Sequence, residues 1–360
     1  MVFSLIDEAR RSQGSMVDLL GLGRRVRAKR TARSASRWML AAYQESGEVA
    51  KSACLLMPAP IKQAYIFDLS PEASIVAHCL GGGFATYVME WQRPAPSDED
   101  DGLAEYADRW LLHAIDVIAA ETGHQRVFLI GHSLGGTLAA VFSALHPERV
   151  AGLVLLEAPV RFGAVGALGR FVAATPRARH VVKTATIPGS FLDLSAWMAA
   201  PVAFSGARWF DSVLSLAAGP EVLRLHIAVE RWTLDELPMP RRLFEQVVDD
   251  LYRGDAFMLG TLEVGGRRPR AADVRSPILS VVNPRSDIVP PAAVLPFLNA
   301  VATAEKKTLE YLGDVGVALQ HVGVLVGPSA HRWLWPEILV WMTAHGGHAG
   351  AGSGPPSSPA

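Results

Sequence analysis

The sequence predicts an α/β protein: a mostly parallel sheet with helices on both faces and a helical insertion toward the C-terminal half. Three observations predict it. Short apolar runs alternate with helical patterns between Ser52 and Glu157 and again between Ile278 and Ala344, the rhythm of a parallel sheet covered on both sides. Between them, about a hundred residues lack that rhythm and are rich in helix formers, tryptophan and proline. The apolar strand Val127–Ile130 runs into Gly131-His132-Ser133-Leu134-Gly135 and then a helix. A G-x-S-x-G turn between strand and helix holds a serine hydroxyl on a strained, exposed tip.

The elements follow in order. Residues 1–48 read as a helical, somewhat basic segment; Arg24, Arg25, Arg27, Lys29, Arg30 and Arg33 suggest a solvated helix face. The first half of the core, 49–162, opens with SACLLMPAP (Ser52–Pro60), a buried strand closed by prolines. Asp68–Gly83 reads as a helix, with caps and an early proline in DLSPEAS and three glycines at its end. ATYVMEW (Ala85–Trp91) is β-rich. After the acidic loop PAPSDEDDG, residues Leu103–Thr122 carry apolar residues at helical spacing. The elbow strand, its helix and the strand Ala151–Glu157 complete this half. Residues 163–270 form the insertion, a cap over the active edge. The core resumes over 271–345 with the strand Ile278–Asn283, a helix from about Pro291, the strand Lys307–Leu312 and a helix from Pro328 to about Ala344. The tail, 346–360, is Gly, Ser and Pro, the composition of a disordered segment.

Composition narrows the function. Half of the 360 residues are hydrophobic, enough for a large core, and the formal net charge is −1, which argues against nucleic acid as a partner. The two cysteines, Cys54 and Cys79, lie in apolar patterns and read as core residues. No run approaches the roughly 18 apolar residues of a membrane span, and the N-terminal apolar patch is too short for a signal peptide. The expectation is a cytoplasmic protein. No Cys/His spacing suits zinc, and Gly81–Gly83 end a helix instead of opening one, so neither a metal nor a nucleotide cofactor is expected.

The layout resembles the α/β-hydrolase fold, in which nucleophile, acid and histidine follow one another along the chain. Ser133 stands at the elbow. Asp287 follows ILSVVN in PRSDIVPP. His321 follows KTLEYL in LQHVGVLVG. A serine hydroxyl is a weak nucleophile, so a base must take its proton during attack. His321 suits that role, with a carboxylate on its far nitrogen to set the tautomer. Asp287 is the first choice of acid. Glu157, in LLEAPV after the elbow helix, is the alternative. The oxyanion needs preorganised donors. One is the backbone N–H of Leu134. Since Pro58 and Pro60 have none, the second comes from Ala59 or Ile61, with Ile61 favoured. His132 is expected to pack or hydrogen-bond beside the serine, and His331 to lie at the surface. Trp197, Phe204, Trp209 and Phe210 serve either as cap core or as the lining of an acyl pocket.

A closer resemblance lies in YIFDLSPEAS, YVMEW, ALHPERVAGLVLLEAPVRF, IPGSFLDLSAW, ERWTLDELPMP and HVGVLVG. In order and spacing, from about Leu55 to Trp341, they are similar to the polyhydroxyalkanoate (poly-3-hydroxybutyrate) synthases, especially the short class that works with a second subunit. The resemblance implies transfer of 3-hydroxyacyl groups from coenzyme A thioesters into a polyester. It implies no cofactor beyond that thioester substrate. As partners it implies a second subunit or a second copy, and as surroundings the surface of a polyester granule. Two positions depart from the family. Its nucleophilic cysteine is Ser133 here, and its aspartate falls on Ser286 when Val289-Pro290-Pro291 is aligned, leaving Asp287 one position late.

The serine changes the energetics. A cysteine thioester retains the energy of the coenzyme A thioester for transfer to a hydroxyl. A serine ester releases that energy in the first step and is then well suited to hydrolysis. The expected function is therefore acyl transfer through an acyl-Ser133 intermediate, from a 3-hydroxyacyl thioester or ester to water or a hydroxyl. The alternatives are an active synthase, a general esterase or lipase, and a non-catalytic protein associated with the synthase or the granule.

Overall fold

The computed structural model describes residues 2–23, 27–43 and 50–346. Its centre is an eight-stranded sheet in the order β1-β2-β4-β3-β5-β6-β9-β10. In chain order the strands are β1 (Arg30–Ser34), β2 (Trp38–Ala42), β3 (Ser52–Met57), β4 (Phe84–Trp91), β5 (Val127–His132) and β6 (Val150–Leu156). After the cap's two-residue strands β7 (Thr186–Ile187) and β8 (Met239–Pro240) come β9 (Ile278–Val282) and β10 (Lys306–Glu310). From β4 to β10 every neighbouring pair is parallel. β3, β5 and β6 are buried at every residue. Their uninterrupted apolar runs reflect helices on both faces.

The first 43 residues are not helical throughout. Helix α1 (Val2–Leu19) is followed by β1 and β2, an antiparallel pair that joins the sheet edge through β4. Trp38, Leu40 and Ala42 bury their side chains there, and β4 satisfies the strand's backbone donors. The described part of the basic cluster, Arg27 to Arg33, is therefore no helix face. Arg30 lies on β1 and pairs with Glu121 at 2.7 Å, Lys29 pairs with Glu90, and Arg27 reaches Asp68; Arg24 and Arg25 fall outside the described residues. Instead of packing on the core, α1 docks on the cap: Phe3 meets Phe191 edge-on at 5.4 Å, and Asp7 accepts from the amides of Gly189 and Ser190.

Helix α2 (Ile75–Gly81) begins seven residues later than Asp68. Its N-cap is Ser74, whose hydroxyl accepts from Ala77 N and donates to Asp68 at 2.5 Å. The serine caps an orphan amide, and the preceding residues close a turn on Ala73. Residues 103–122 do form one long helix, with a π turn at Glu105–Arg109 leading into α3 (Trp110–Thr122) and Gly123 ending it at φ 78°. Helix α4 (Leu134–Leu145) follows β5 and is buried almost throughout. Cys54 and Cys79 are both buried.

The cap holds α5 (Gly166–Ala174), α6 (Ala178–Val181), α7 (Gly189–Ala199), α8 (Ala207–Ala218), α9 (Pro220–Thr233) and α10 (Arg241–Glu245). After it come α11 (Leu295–Ala300), α12 (Gln320–Val326) and α13 (Trp335–Gly346). The tail from residue 347 lies outside the described residues.

Candidate active site

The elbow is built by close contact. Ser133 sits at φ 54° and ψ −132°, a conformation a non-glycine residue adopts only under constraint. Its amide donates to Leu156 O at 3.1 Å, which ties the turn to β6. The glycines are required by space. A Cβ on Gly131 would lie 2.4 Å from Gly136 Cα, and one on Gly135 only 2.2 Å from Met57 O. Leu134 opens α4, so its amide belongs to the first turn and has no acceptor within the helix.

His321 lies at the start of α12 with its side chain 10% exposed. Its Nδ1 meets Glu157 Oε2 at 3.2 Å. Its carbonyl accepts from His132 Nε2 at 2.9 Å, and the two rings lie 4.6 Å apart. His132 thus ties the residue next to Ser133 to the histidine. It does hydrogen-bond beside the serine, and its partner is the backbone of His321.

Glu157 follows β6 at φ 42° and is fully buried. Burial pushes its carboxyl well above the ordinary range, and a hydrogen bond from the Ser286 hydroxyl partly offsets this. Burial, with the positive charge of Lys62, lowers His321 to about 4. The imidazole is therefore neutral at neutral pH, the state a base requires. Lys62 is held by Glu236 and lies 5.0 Å from the Trp232 ring centre.

Asp287 does not take the position expected of it. Its side chain is 61% exposed and pairs with Arg170 at 3.0 Å. It lies at the open side of the cavity beside His321, and the carboxylate in contact with His321 is Glu157. Ser286, where the resemblance puts the acid, stands beside Glu157. Ile61 lies in the turn after β3; its carbonyl accepts from Leu237 N at 3.0 Å, fixing the peptide against the cap, while Ala59 O accepts from Lys62 N. His331 is not a plain surface residue: it stacks on His78 with ring nitrogens 3.1 Å apart.

A cavity of about 780 Å³ opens at His321. One wall is Ala199–Ala203 and Ala207 from the cap; the other is more polar and includes Arg285, Ser286, Asp287, Asp314 and Leu319. Trp197, Trp209 and Phe210 are 45%, 70% and 58% exposed. They are neither cap core nor cavity lining, because α7 and α8 turn these rings toward solvent. Small aliphatic side chains form the cap wall instead. Among the described residues no group of three or more His, Cys, Asp or Glu is placed to hold a metal, and no helix is long and apolar enough to cross a membrane.

Sheet, elbow and histidine define an α/β-hydrolase fold. The family profile described as alpha/beta hydrolase fold matches residues 90–180. The soluble variant of monoglyceride lipase from Saccharomyces cerevisiae superposes with a TM-score of 0.53 at 12% identity, over 89% of this chain and 96% of that one. Est816, described as an N-acyl homoserine lactone degrading enzyme, gives 0.51 at 14%, over 86% and 99%. Sequence relatives are more particular. The poly(3-hydroxyalkanoate) polymerase subunit PhaC of Haloarcula marismortui is 26% identical over 295 residues, covering 80% of this chain and 60% of that protein. The subunit of Allochromatium vinosum is 24% identical over 289 residues, covering 80% and 79%. That of Rhizobium meliloti is 28% identical over 314 residues, covering 83% and 50%. The chain has the α/β-hydrolase fold and is similar over about 80% of its length to these polymerase subunits, and it spans about 60% of the length of the Haloarcula relative.

Proposed function

We propose that this protein is a serine acyl-transfer enzyme of the synthase family, with Ser133 as nucleophile, His321 as base and Glu157 as the acid that orients it. The observation that carries the reading is the 3.2 Å contact between His321 Nδ1 and the buried Glu157, beside an elbow held in strained geometry. The contact leaves Nε2 to serve the serine. Ser133 Oγ attacks the acyl carbonyl of a 3-hydroxyacyl thioester or ester and passes its proton to His321 Nε2. The leaving thiolate or alkoxide takes that proton as the acyl-serine forms. Water or a hydroxyl then attacks the acyl-serine while His321 accepts its proton, and as the acyl–Ser133 bond breaks His321 returns that proton to Ser133 Oγ. The amides of Leu134 and Ile61 stabilise the oxyanion, each such donor being worth about 3–4 kcal/mol in comparable sites. A cavity of this size and apolar wall suits a short acyl chain.

The acid would then have moved from the strand that carries it in the family to the neighbouring strand end. Ser286 occupies the vacated position and Glu157 supplies the carboxylate from β6. The oxyester formed on Ser133 makes water a competent acceptor.

The test offers 3-hydroxybutyryl coenzyme A and short nitrophenyl esters, following thiol or phenol release. Turnover that is lost in Ser133→Ala is the expected result. A wild-type protein inert to both, and unlabelled at Ser133 by a fluorophosphonate, would instead indicate a non-catalytic partner. Polymer formed by the wild type identifies an active synthase. Polymer formed only by Ser133→Cys identifies a synthase relative turned to hydrolysis.

A further inference from the structure

The cap reaches the loop that carries His321. Asp211, on α8, is buried. Its Oδ1 accepts from Gly316 N at 2.9 Å, and its Oδ2 accepts from Ala318 N at 2.8 Å and from His226 Nδ1 at 2.9 Å. His226, on α9, is itself held by Ser212 Oγ at 3.0 Å from Nε2. One cap carboxylate therefore binds two amides of the segment that connects β10 to α12, and the second lies three residues before His321.

That segment is in a conformation it would not choose alone. Ala318 sits at φ 56° and Gly316 at φ 88°, and a non-glycine residue holds the left-handed region only under constraint. Gly316 also lies under α9, where a Cβ would come within 2.6 Å of Val222. The outer part of the loop has its own clamp: Gln320 accepts from Asp314 N and donates to Asp314 O, and Asp314 also accepts from Tyr311 and Ser329. The inner part, Gly316–Ala318, is held from the cap. Burial alone would raise Asp211, but His226 and the two amides bring its carboxyl below the usual range, in keeping with a charged acceptor.

We infer that Asp211, oriented by His226, is a positioning residue that couples the seating of the cap to the placement of His321. This rests on the acyl-transfer reading for its catalytic consequence, though not for the latch itself. A cap displaced by a few ångströms would free two amides and let the strained loop relax, moving the base relative to Ser133. A misplacement of about 1 Å at a reacting group can cost about a hundredfold in rate.

The experiment compares the full chain with Asp211→Ala, Asp211→Asn and His226→Gln. Arg224→Ala, at an exposed ion pair on α9, serves as the surface control. Hydrogen exchange is read at 314–322, and ester turnover is resolved into kcat and KM. Asp211→Ala should exchange about tenfold or more faster at Gly316 and Ala318. Its kcat should fall about tenfold to a hundredfold with KM within about twofold. Asp211→Asn, which keeps one acceptor, should fall between it and the wild type. The acid limb of its pH–rate profile should shift as well, which a loss of stability alone would not produce. If Asp211→Ala does not fold, Asp211→Asn and His226→Gln decide the matter. Unchanged exchange at 316–318 in these variants overturns the latch whatever the activity. Faster exchange with unchanged kcat overturns the coupling. Absence of turnover in the wild type overturns the acyl-transfer reading, and the exchange data still decide the latch.

Discussion

Exchanging Glu157 for glutamine tests the charge and tautomer control of the site without changing its shape. Glu157 is fully buried, with Oε2 at 3.2 Å from His321 Nδ1 and Oε1 lacking a protein partner. A glutamine has two ways to lie. With its NH₂ toward Nδ1, it stabilises the tautomer protonated at Nε2, which cannot accept a proton from Ser133. With its oxygen toward Nδ1, it keeps the tautomer but buries an unsatisfied NH₂ and loses the ionisable carboxyl that can stabilise the imidazolium as it forms. The comparable change in serine proteases costs about 10⁴-fold. The expected loss here is about 10²- to 10⁴-fold in kcat, or about 3–5 kcal/mol of transition-state stabilisation. Asp287→Asn is the internal comparison. Its partner Arg170 is 59% exposed, and an exposed pair contributes at most about 1 kcal/mol, so activity should stay within about threefold. Nitrophenyl ester hydrolysis by both variants, with thermal unfolding to show that each is folded, is the assay. A folded Glu157→Gln with near wild-type kcat, beside a strongly impaired Asp287→Asn, would refute the reasoning and return the acid to Asp287.

Four further outcomes follow from the structure. With His321 lowered to about 4, kcat/KM should rise with pH along a low acid limb and be flat through neutrality. Lys62→Met removes a positive charge that lowers His321, so that limb should move to higher pH; a limb that stays or moves down counts against the placement of Lys62. The unfolded imidazole ionises near its ordinary 6.5 and so binds more protons than the folded one between there and about 4. Stability should thus fall as pH drops through that window, by on the order of 3 kcal/mol for this group, and denaturant titrations of His321→Gln should show a shallower loss. Finally, Gly135→Ala puts a Cβ 2.2 Å from Met57 O, a backbone atom with little room to move. It should destabilise the protein by about 1–3 kcal/mol and abolish fluorophosphonate labelling of Ser133.

Most of the core was legible because it depends on local pattern. Val127–Thr137 carries strand, turn and helix within eleven residues, each glycine answering to a contact that short-range geometry demands. The buried strands β3, β5 and β6 show themselves as uninterrupted apolar runs. β1 was hidden because it is an exposed, basic edge strand that reads like a solvated helix face. The start of α2 was displaced because Ser74 was a better cap than the residues around Asp68. Trp197, Trp209 and Phe210 were misjudged because apolar character does not say whether a helix face finds a partner.

By itself the sequence determined the fold class, the serine elbow and the region of the histidine. Those rest on periodicity, on glycines in tight turns and on chain order, all of which act over a few residues or along one strand. Only the tertiary structure decided which carboxylate meets His321, since Glu157 and Asp287 follow adjacent strands and both lie near the same edge of the sheet. One side chain turns inward from the end of β6, and the other turns out to Arg170. The same holds for Asp211 and the loop before His321, more than a hundred residues apart in the chain. Hydrogen bonds of a few ångströms between distant segments leave no periodic trace, and they exist only once the cap has packed against the core.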